Sequence, residues 1–195
     1  MSSTKFIALS ASLFICFFLF NSCKEKRVIG EENETNESNN RNNTPNLSIH
    51  ASSSMKASFG FDYSAQNIID GNLETWWSPR TSNNFKNQVT IDFNLSAKIS
   101  GFQILAGSHY LDHPKFGNIY FKNHRIKKIK VEVYQGELFL DEFVFRLKDI
   151  DELQTVNFPR NLKCSSLIIT PLEIYNTSKW PDICISEIIP NYAGN

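Results

Sequence analysis

The sequence predicts an all-β fold, an antiparallel β-sandwich of about eight strands in a single domain. Three observations support this prediction. Short runs that alternate apolar and polar residues follow one another from residue 47 almost to the C-terminus. Turn-forming residues such as Gly136, Asn161 and Asn176 lie between those runs. The chain also contains 16 phenylalanines, which suit a thick apolar core between two sheets.

The alternating runs give the expected strands in order. Ile129, Val131 and Val133 alternate with polar residues, which is typical of an antiparallel sheet with one face buried and the other in water. Residues 64–69 favour a short helical turn. The strands are expected at 89–93, 99–105, 126–134, 138–147, 153–158, 166–175 and 183–189.

Residues 1–22 are typical of an export signal. Lys5 supplies a short positive region, and residues 6–20 are almost wholly apolar. Cys23 ends this segment, as the acylated cysteine does in the lipobox of bacterial lipoproteins. The resemblance implies cleavage before Cys23, attachment of lipid such as palmitate to it, and anchoring in the cell envelope, at the outer membrane or cell surface. A plain secretory signal or an uncleaved anchor helix is the alternative.

Residues 23–46 would then comprise the lipidated cysteine and a disordered polar tether. This stretch contains a single Val-Ile pair among Asn, Glu, Lys, Thr and Ser, too little apolar surface to offset the entropy of the chain. Residues 47–195 remain as one folded domain, which is long enough to bury a core of its own.

The charge of the chain argues against one class of partner. With 20 basic and 20 acidic residues the net charge is zero, so no global field attracts nucleic acid, and we expect no nucleic-acid partner. The local basic strip at Arg125, Lys127, Lys128 and Lys130 is interpreted as the solvated face of a strand.

Two cysteines, Cys164 and Cys184, lie in the folded part. An even pair in an exported chain could form a disulfide, whereas two small buried thiols are the alternative. Sequence alone does not place the two β-carbons within bonding range, so both interpretations stand.

Three segments resemble a known family. Residues 48–78, SIHASSSMKASFGFDYSAQNIIDGNLETWWS, resemble the opening of discoidin-like, or coagulation factor 5/8 type C, domains. Residues 118–137 and 172–188 are similar to a bacterial subgroup, the NADase-type glycan-binding domain. The resemblance implies a discoidin-like sandwich of the jelly-roll, galactose-binding-like type, and a carbohydrate-binding role with a glycan as partner.

The resemblance also implies a structural Ca²⁺ ion in the Asp-Gly-Asn loop. Its ligands would include Asp70, Asn72, Thr75 and, from the last strand, Glu187. Calcium takes six to eight oxygen ligands, and a tight turn with two carboxylates can supply many of them. The alternative is an Asx turn, in which Asp70 caps backbone amides and Glu187 points to solvent.

Loops at one end of the sandwich are expected to hold the ligand. Successive side chains of an extended segment point in opposite directions, so Trp76 and Trp77 are expected on opposite sides. The resemblance implies that Trp77, the tryptophan of the Thr-x-Trp motif, packs into the core, which leaves Trp76 outside it. Exposed aromatic residues folded back over the core are the alternative, and zinc is disfavoured because His109 and His113 lack a third ligand nearby. The candidate ligand-binding residues are Phe61, Tyr63, Trp76, Arg80, His109, Tyr110 and His113.

The sequence lacks the common catalytic motifs, including Gly-x-Ser-x-Gly, His-Glu-x-x-His and a phosphate-binding loop. We therefore predict that the protein is not an enzyme but an extracytoplasmic binding lipoprotein. Two alternatives are a protein-interaction module, such as an adhesin or an envelope-assembly subunit with no glycan ligand, and an enzyme whose dispersed site includes His109, Asp112 and His113.

Overall fold

The computed structural model describes residues 46–80, 87–177 and 179–194. Within these residues the chain forms six β-strands and two short 3₁₀ helices. The strands are β1 (Leu47–Ala51), β2 (Val89–Leu105), β3 (Arg125–Gln135), β4 (Leu138–Arg146), β5 (Gln154–Tyr175) and β6 (Glu187–Tyr192), and the helices are Ala65–Ile69 and Tyr120–Lys122. The expected export signal, Cys23 and almost all of the tether lie outside the described residues.

The all-β prediction is confirmed, but the number of strands is six rather than about eight. The predicted runs 89–93 and 99–105 belong to one strand, β2, and the runs 153–158 and 166–175 belong to β5. A shift in the pairing register between Asp92 and Ala97 lies where the sequence indicated a break. Such an irregularity bends a strand without ending it, which explains why polar residues there did not mark a turn.

Every pair of neighbouring strands is antiparallel. The strand order is β1-β2-β5-β3-β4, and β6 pairs with β2. The first part of β2 lies between β1 and the end of β5, whereas its second part lies between the beginning of β5 and β6. The two long strands therefore contribute to both parts of the sheet.

The core contains side chains from both parts of the sheet. Phe102 and Ile104 come from the second part of β2, and Val131 and Ile169 come from β3 and β5; all of them are buried in one cluster. Trp77 belongs to this cluster and is fully buried, as predicted. The predicted helical turn is also confirmed, because Ala65–Ile69 forms a 3₁₀ helix whose Ile68 enters the same core.

Gly101 allows the close approach of β2 and β5. A β-carbon at this position would lie 2.0 Å from the backbone oxygen of Val156. The φ of Gly101 is 150°, in a region that favours glycine, and the register of β2 shifts between Ile99 and Gly101. The glycine is thus required where β2 passes close against β5.

A second, smaller cluster of buried side chains lies apart from the main core. It is formed by Tyr63, Trp76, Ile119 and Cys184. Four loop segments supply it: one before the first 3₁₀ helix, one after that helix, one before the second 3₁₀ helix, and one before β6. Backbone pairing holds the last segment in place, since Trp77 pairs with Ile185 and His124 with Ile183.

The two cysteines are free thiols and do not form a disulfide. Cys164 lies in the main core, whereas Cys184 lies in the second cluster. Burial raises the pKa of Cys164 to about 11 and raises that of Cys184 still further. Both thiols therefore stay protonated at neutral pH and serve as small apolar groups.

Within the residues that the structure describes, no helix is long and apolar enough to cross a membrane.

Candidate functional site

A cavity of about 200 Å³ opens over the second cluster. Its walls come from the same four loop segments and from Asn123, directly after the second 3₁₀ helix. These parts are separated in sequence and adjacent in space. Most of the lining is apolar or aromatic, and four polar residues interrupt it. The lining residues are Met55, Ser58, Phe59, Phe61, Tyr63, Trp76, Ser78, Phe116, Ile119, Asn123, Trp180, Asp182 and Cys184.

Trp76 forms part of the floor of the cavity, and its expected orientation toward solvent was wrong. Only 4% of its surface is exposed. Its ring centroid lies 4.8 Å from that of Phe61 and 6.0 Å from that of Tyr63. Trp76 and Trp77 do point to opposite sides, but the side that Trp76 faces is covered by loop aromatics instead of water.

A second pair of aromatic rings forms another wall. Phe116 and Trp180 meet edge to face with ring centroids 5.2 Å apart. Lys122 fixes this wall, because its Nζ donates a hydrogen bond to the Phe116 carbonyl and lies 5.9 Å from the centroid of the Trp180 ring. His113 stacks on Phe116 with ring centroids 4.7 Å apart. The wall is therefore held by contacts on several sides and needs little reorganisation to meet a ligand.

Two polar residues of the lining, Ser78 and Asn123, form hydrogen bonds to other loop residues. Ser78 Oγ donates to the carbonyl of Ile183, and Asn123 Nδ2 donates to Ser108 Oγ at 2.7 Å. Both side chains are buried, so these bonds hold the loops together.

Asp182 is the one acidic residue in the lining of this cavity. Burial raises the pKa of its carboxyl group, and nearby His124 acts in the opposite direction. The pKa of His124 is itself lowered by burial and by Arg125, so His124 is no fixed positive charge at neutral pH. Among the described ion pairs none includes Asp182. The carboxylate can therefore accept hydrogen bonds from a ligand.

The remaining candidate residues lie at different distances from the cavity. Phe61 and Tyr63 line it, and Tyr110 and His113 pack behind Phe61 with ring centroids 6.0 and 5.3 Å from it. Arg80 is exposed and is absent from the lining.

His109 is also absent from the lining, because its side chain is engaged elsewhere. Its Nδ1 lies 2.7 Å from Asp151 Oδ1, while its backbone amide donates to Ser186 Oγ. His109 and His113 thus belong to different surroundings. Within the described chain, no group of three or more His, Cys, Asp or Glu side chains is placed to hold a metal ion.

The sequence analysis missed Trp180 and Asp182 as candidates. Both lie in the polar segment before β6, where Trp180 interrupts a run of Asn, Thr, Ser and Lys residues. A lone tryptophan in a polar loop is a signal for a binding surface, since exposing a large aromatic ring is unfavourable without a partner. Their meeting with Phe61 depends on loop packing, which no local pattern reveals.

The Asp-Gly-Asn loop adopts the Asx turn that the sequence left open. Asp70 Oδ1 accepts the amide of Asn72, and Asp70 Oδ2 accepts the hydroxyl of Thr75, both at 2.8 Å. Glu187 does not point to solvent: it is buried, and its Oε2 accepts the amide of Gly71 at 3.0 Å. The loop is therefore tied to the beginning of β6.

Two carboxyl groups come close together in this loop. Burial, followed by the neighbouring charge of Asp70, raises the pKa of Glu187 to about 7. The candidate metal-ligand atoms in this region are all oxygens. They belong to the two carboxyl groups, the hydroxyl of Thr75 and the carbonyl of Asn72. Neither acid forms an ion pair within the described part of the chain. An all-oxygen set with two such acids fits a hard cation such as Ca²⁺.

Comparison with protein families gives one match. Residues 41–191 match the model of the NAD glycohydrolase translocation F5/8 type C domain. No curated protein matches the chain.

Solved structures with the same fold include several carbohydrate-binding modules. The domain CpGH89CBM32-5 of Clostridium perfringens, in complex with GalNAc-β-1,3-galactose, has a TM-score of 0.55 and 19% identity, covering 75% of this chain and 95% of its own. The family 32 CBM of C. perfringens NanJ, in complex with galactose, has a TM-score of 0.54 and 16% identity over 74% and 92%. The C-terminal domain of a Bacteroides fragilis chitobiase has a TM-score of 0.55 and 17% identity over 75% and 93%. These similarities establish the discoidin-like β-sandwich fold.

Proposed function

Because the chain belongs to the family of NAD glycohydrolase translocation F5/8 type C domains, we propose that its folded part is a non-catalytic module that binds carbohydrate. One observation carries this proposal: a preformed cavity combines aromatic walls at Phe61, Phe116 and Trp180 with the carboxylate of Asp182. Aromatic rings pack against the CH face of a sugar, while a few convergent polar groups orient its hydroxyls. Two structural neighbours hold sugars, galactose and GalNAc-β-1,3-galactose.

The charge of the lining favours a neutral sugar. Asp182 is an acid without an ion-pair partner among the described residues, and the lining contains no basic side chain. A carboxylate or sulfate on the ligand would meet like charge in a partly desolvated setting, whereas a hydroxyl would donate a hydrogen bond.

The test is a glycan array followed by titration calorimetry with the best neutral sugar. Trp180→Ala is expected to lower the affinity by about tenfold, because one stacking wall is lost. Phe139→Ala is the matched control, since Phe139 is a half-exposed aromatic near the β3–β4 turn and is absent from the cavity lining. Absence of binding to every sugar on the array would refute the proposal, and capture of an envelope protein would then favour the protein-interaction alternative.

We also propose that Ca²⁺ stiffens the loop that begins at Asp70. Asp70, Glu187, Thr75 Oγ1 and the carbonyl of Asn72 would supply ligands, and the ion would neutralise the two neighbouring acids. Calcium is expected to raise the melting temperature of the chain relative to EDTA, and Asp70→Ala is expected to abolish that rise. Equal melting curves in calcium and EDTA would refute this assignment.

The mature protein, in this proposal, is a lipoprotein of the cell envelope. Acylated Cys23 would anchor it in the outer membrane or at the cell surface, and the polar residues up to about Asn46 would tether the module. The support for this part is the sequence pattern described above.

A further inference from the structure

Phe59 occupies the tip of a tight turn at the mouth of the cavity. The amide of Ser58 donates to the carbonyl of Phe61 at 3.0 Å, and the amide of Phe61 donates to the carbonyl of Ser58 at 2.9 Å. The two residues between them both have positive φ, 54° at Phe59 and 85° at Gly60. This combination defines a two-residue turn of type I′.

Phenylalanine is a poor choice for this backbone. The first position of a type I′ turn favours Asn, Asp or Gly, because a β-carbon is crowded at positive φ and a short polar side chain can compensate with a local hydrogen bond. Phe59 is the one described non-glycine residue with positive φ. The sequence Asn-Gly would suit the turn far better than the Phe-Gly that the chain contains.

Burial does not compensate for this strain. Phe59 is 84% exposed, more than any other large apolar residue that the structure describes. The described residues make no ring–ring contact with it. A bulky residue that is unfavourable both for its backbone and for its solvent exposure indicates selection for something other than folding.

The position of the ring shows what it could meet. Phe59 lines the cavity together with Phe61 and Trp180. The other aromatic residues of the lining are already partly or wholly covered by protein, down to 4% exposure at Trp76. Phe59 is therefore the lining ring with the most apolar surface left to bury on a ligand.

We propose that Phe59 forms the outer wall of the site and stacks on the apolar face of the bound sugar residue. This inference rests on the proposed function and extends it, because it names a binding residue and explains its strained backbone. The turn carries the ring on two hydrogen bonds, and Phe61 anchors the turn by packing 4.8 Å from Trp76. The wall is thus presented with little loss of conformational freedom on binding.

The test uses Phe59→Asn in the otherwise intact chain, with galactose and GalNAc-β-1,3-galactose as first probes and a panel of neutral sugars beside them. The affinity is expected to fall by about tenfold, because the stacking surface is lost. The melting temperature is expected to stay equal or to rise by about 2–4 °C, because Asn accepts positive φ. Loss of a residue with a purely structural role would not lower the affinity while the melting temperature stays equal or rises.

Two further variants sharpen the measurement. Phe59→Tyr retains a stacking ring and is expected to retain the affinity. Phe139→Asn removes an aromatic residue that is 51% exposed near the other end of β3, and it is expected to leave the affinity unchanged. If the unaltered chain binds a sugar and Phe59→Asn binds it equally well, the inference falls while the proposed function stands. If the unaltered chain binds no sugar in the panel, both fall.

Discussion

Asp182 gives the site a chemical preference that its aromatic rings cannot supply. Stacking surfaces accept most sugars, because nearly every pyranose has an apolar face, whereas a carboxylate discriminates by charge. Burial raises the pKa of this acid, and the ionised carboxyl group is purely an acceptor of hydroxyl hydrogens. The discrimination between neutral and acidic ligands should therefore depend on this residue.

Asp182→Asn tests that discrimination. The unaltered chain is expected to bind galactose more tightly than galacturonic acid, because the uronate would lie near a like charge. The amide has no charge, so the ratio of the two affinities is expected to shift toward the acid by about tenfold. Calorimetry with both sugars at neutral pH measures the ratio. An unchanged ratio would mean that Asp182 does not face the ligand.

At the scale of single residues the sequence predicts burial better than it predicts surroundings. The family resemblance placed Trp77 in the core correctly. Alternation then put Trp76 on the opposite side, which was expected to face solvent; that expectation failed because Phe61 and Tyr63, more than a dozen positions earlier, cover that side. Periodicity reports which side chains share a face of a strand, but it contains no information about a distant loop that folds over it.

The connection between the Asp70 loop and β6 governs how this region responds to pH. The pKa of Glu187 is raised from 4.5 to about 7 in the folded protein, chiefly by burial. Between about pH 4.5 and about pH 7 the folded state thus binds a proton that the unfolded state has released. The free energy of unfolding must therefore decrease as the pH rises through this window and level off above it.

Melting curves in EDTA test this pH dependence. Between about pH 5 and about pH 8 the melting temperature is expected to decrease, and Glu187→Gln is expected to remove most of the decrease, because the amide does not titrate. Glu173→Gln serves as the control, since the pKa of Glu173 is lowered by Lys128 and the residue lies away from the loop. Parallel curves for the unaltered chain and Glu187→Gln would show that another group controls the slope.

At the scale of elements the sequence identified most strands but not their continuity. The interior runs of β2 and β5 alternate clearly, so their existence follows from the pattern. Polar residues such as Asn94 and Arg160 interrupt them and resemble turn signals. They are tolerated because the strands bend there and expose them. Such a bend depends on the pairing register with the partner strand, which a local sequence pattern does not contain.

For the whole molecule, the proposed lipid anchor can be tested by a single substitution, Cys23→Ser. The unaltered chain, produced in a Gram-negative host, is expected in the membrane fraction with residues 1–22 removed and an acyl mass on Cys23. Cys23→Ser is expected to lack the acyl mass and to retain those residues. Cys16→Ser, within the apolar segment, is the control and should behave like the unaltered chain. Mass spectrometry after fractionation distinguishes these forms. An unaltered chain found in the membrane with residues 1–22 in place and no acyl mass would favour an anchor helix.

The class of the fold could be predicted from sequence because many weak signals agree over a hundred residues. The alternation, the turns and the family resemblance all indicate the same sandwich, which the structure and the comparisons confirm. The cavity could not be predicted in the same way. It is formed where four loop segments meet, and only the packed molecule brings Phe61, Phe116 and Trp180 together.

The passage of β2 and β5 through both parts of the sheet also bears on cooperativity. Neither part can open on its own, because each would have to release strands that the other still holds. Amide hydrogens in β6 and in β3 should accordingly exchange through one common opening reaction, with similar protection at their centres. A sugar bound only at the loops would then slow amide hydrogen exchange in strands far from the site. Ligand binding would therefore be detectable by hydrogen exchange throughout the module.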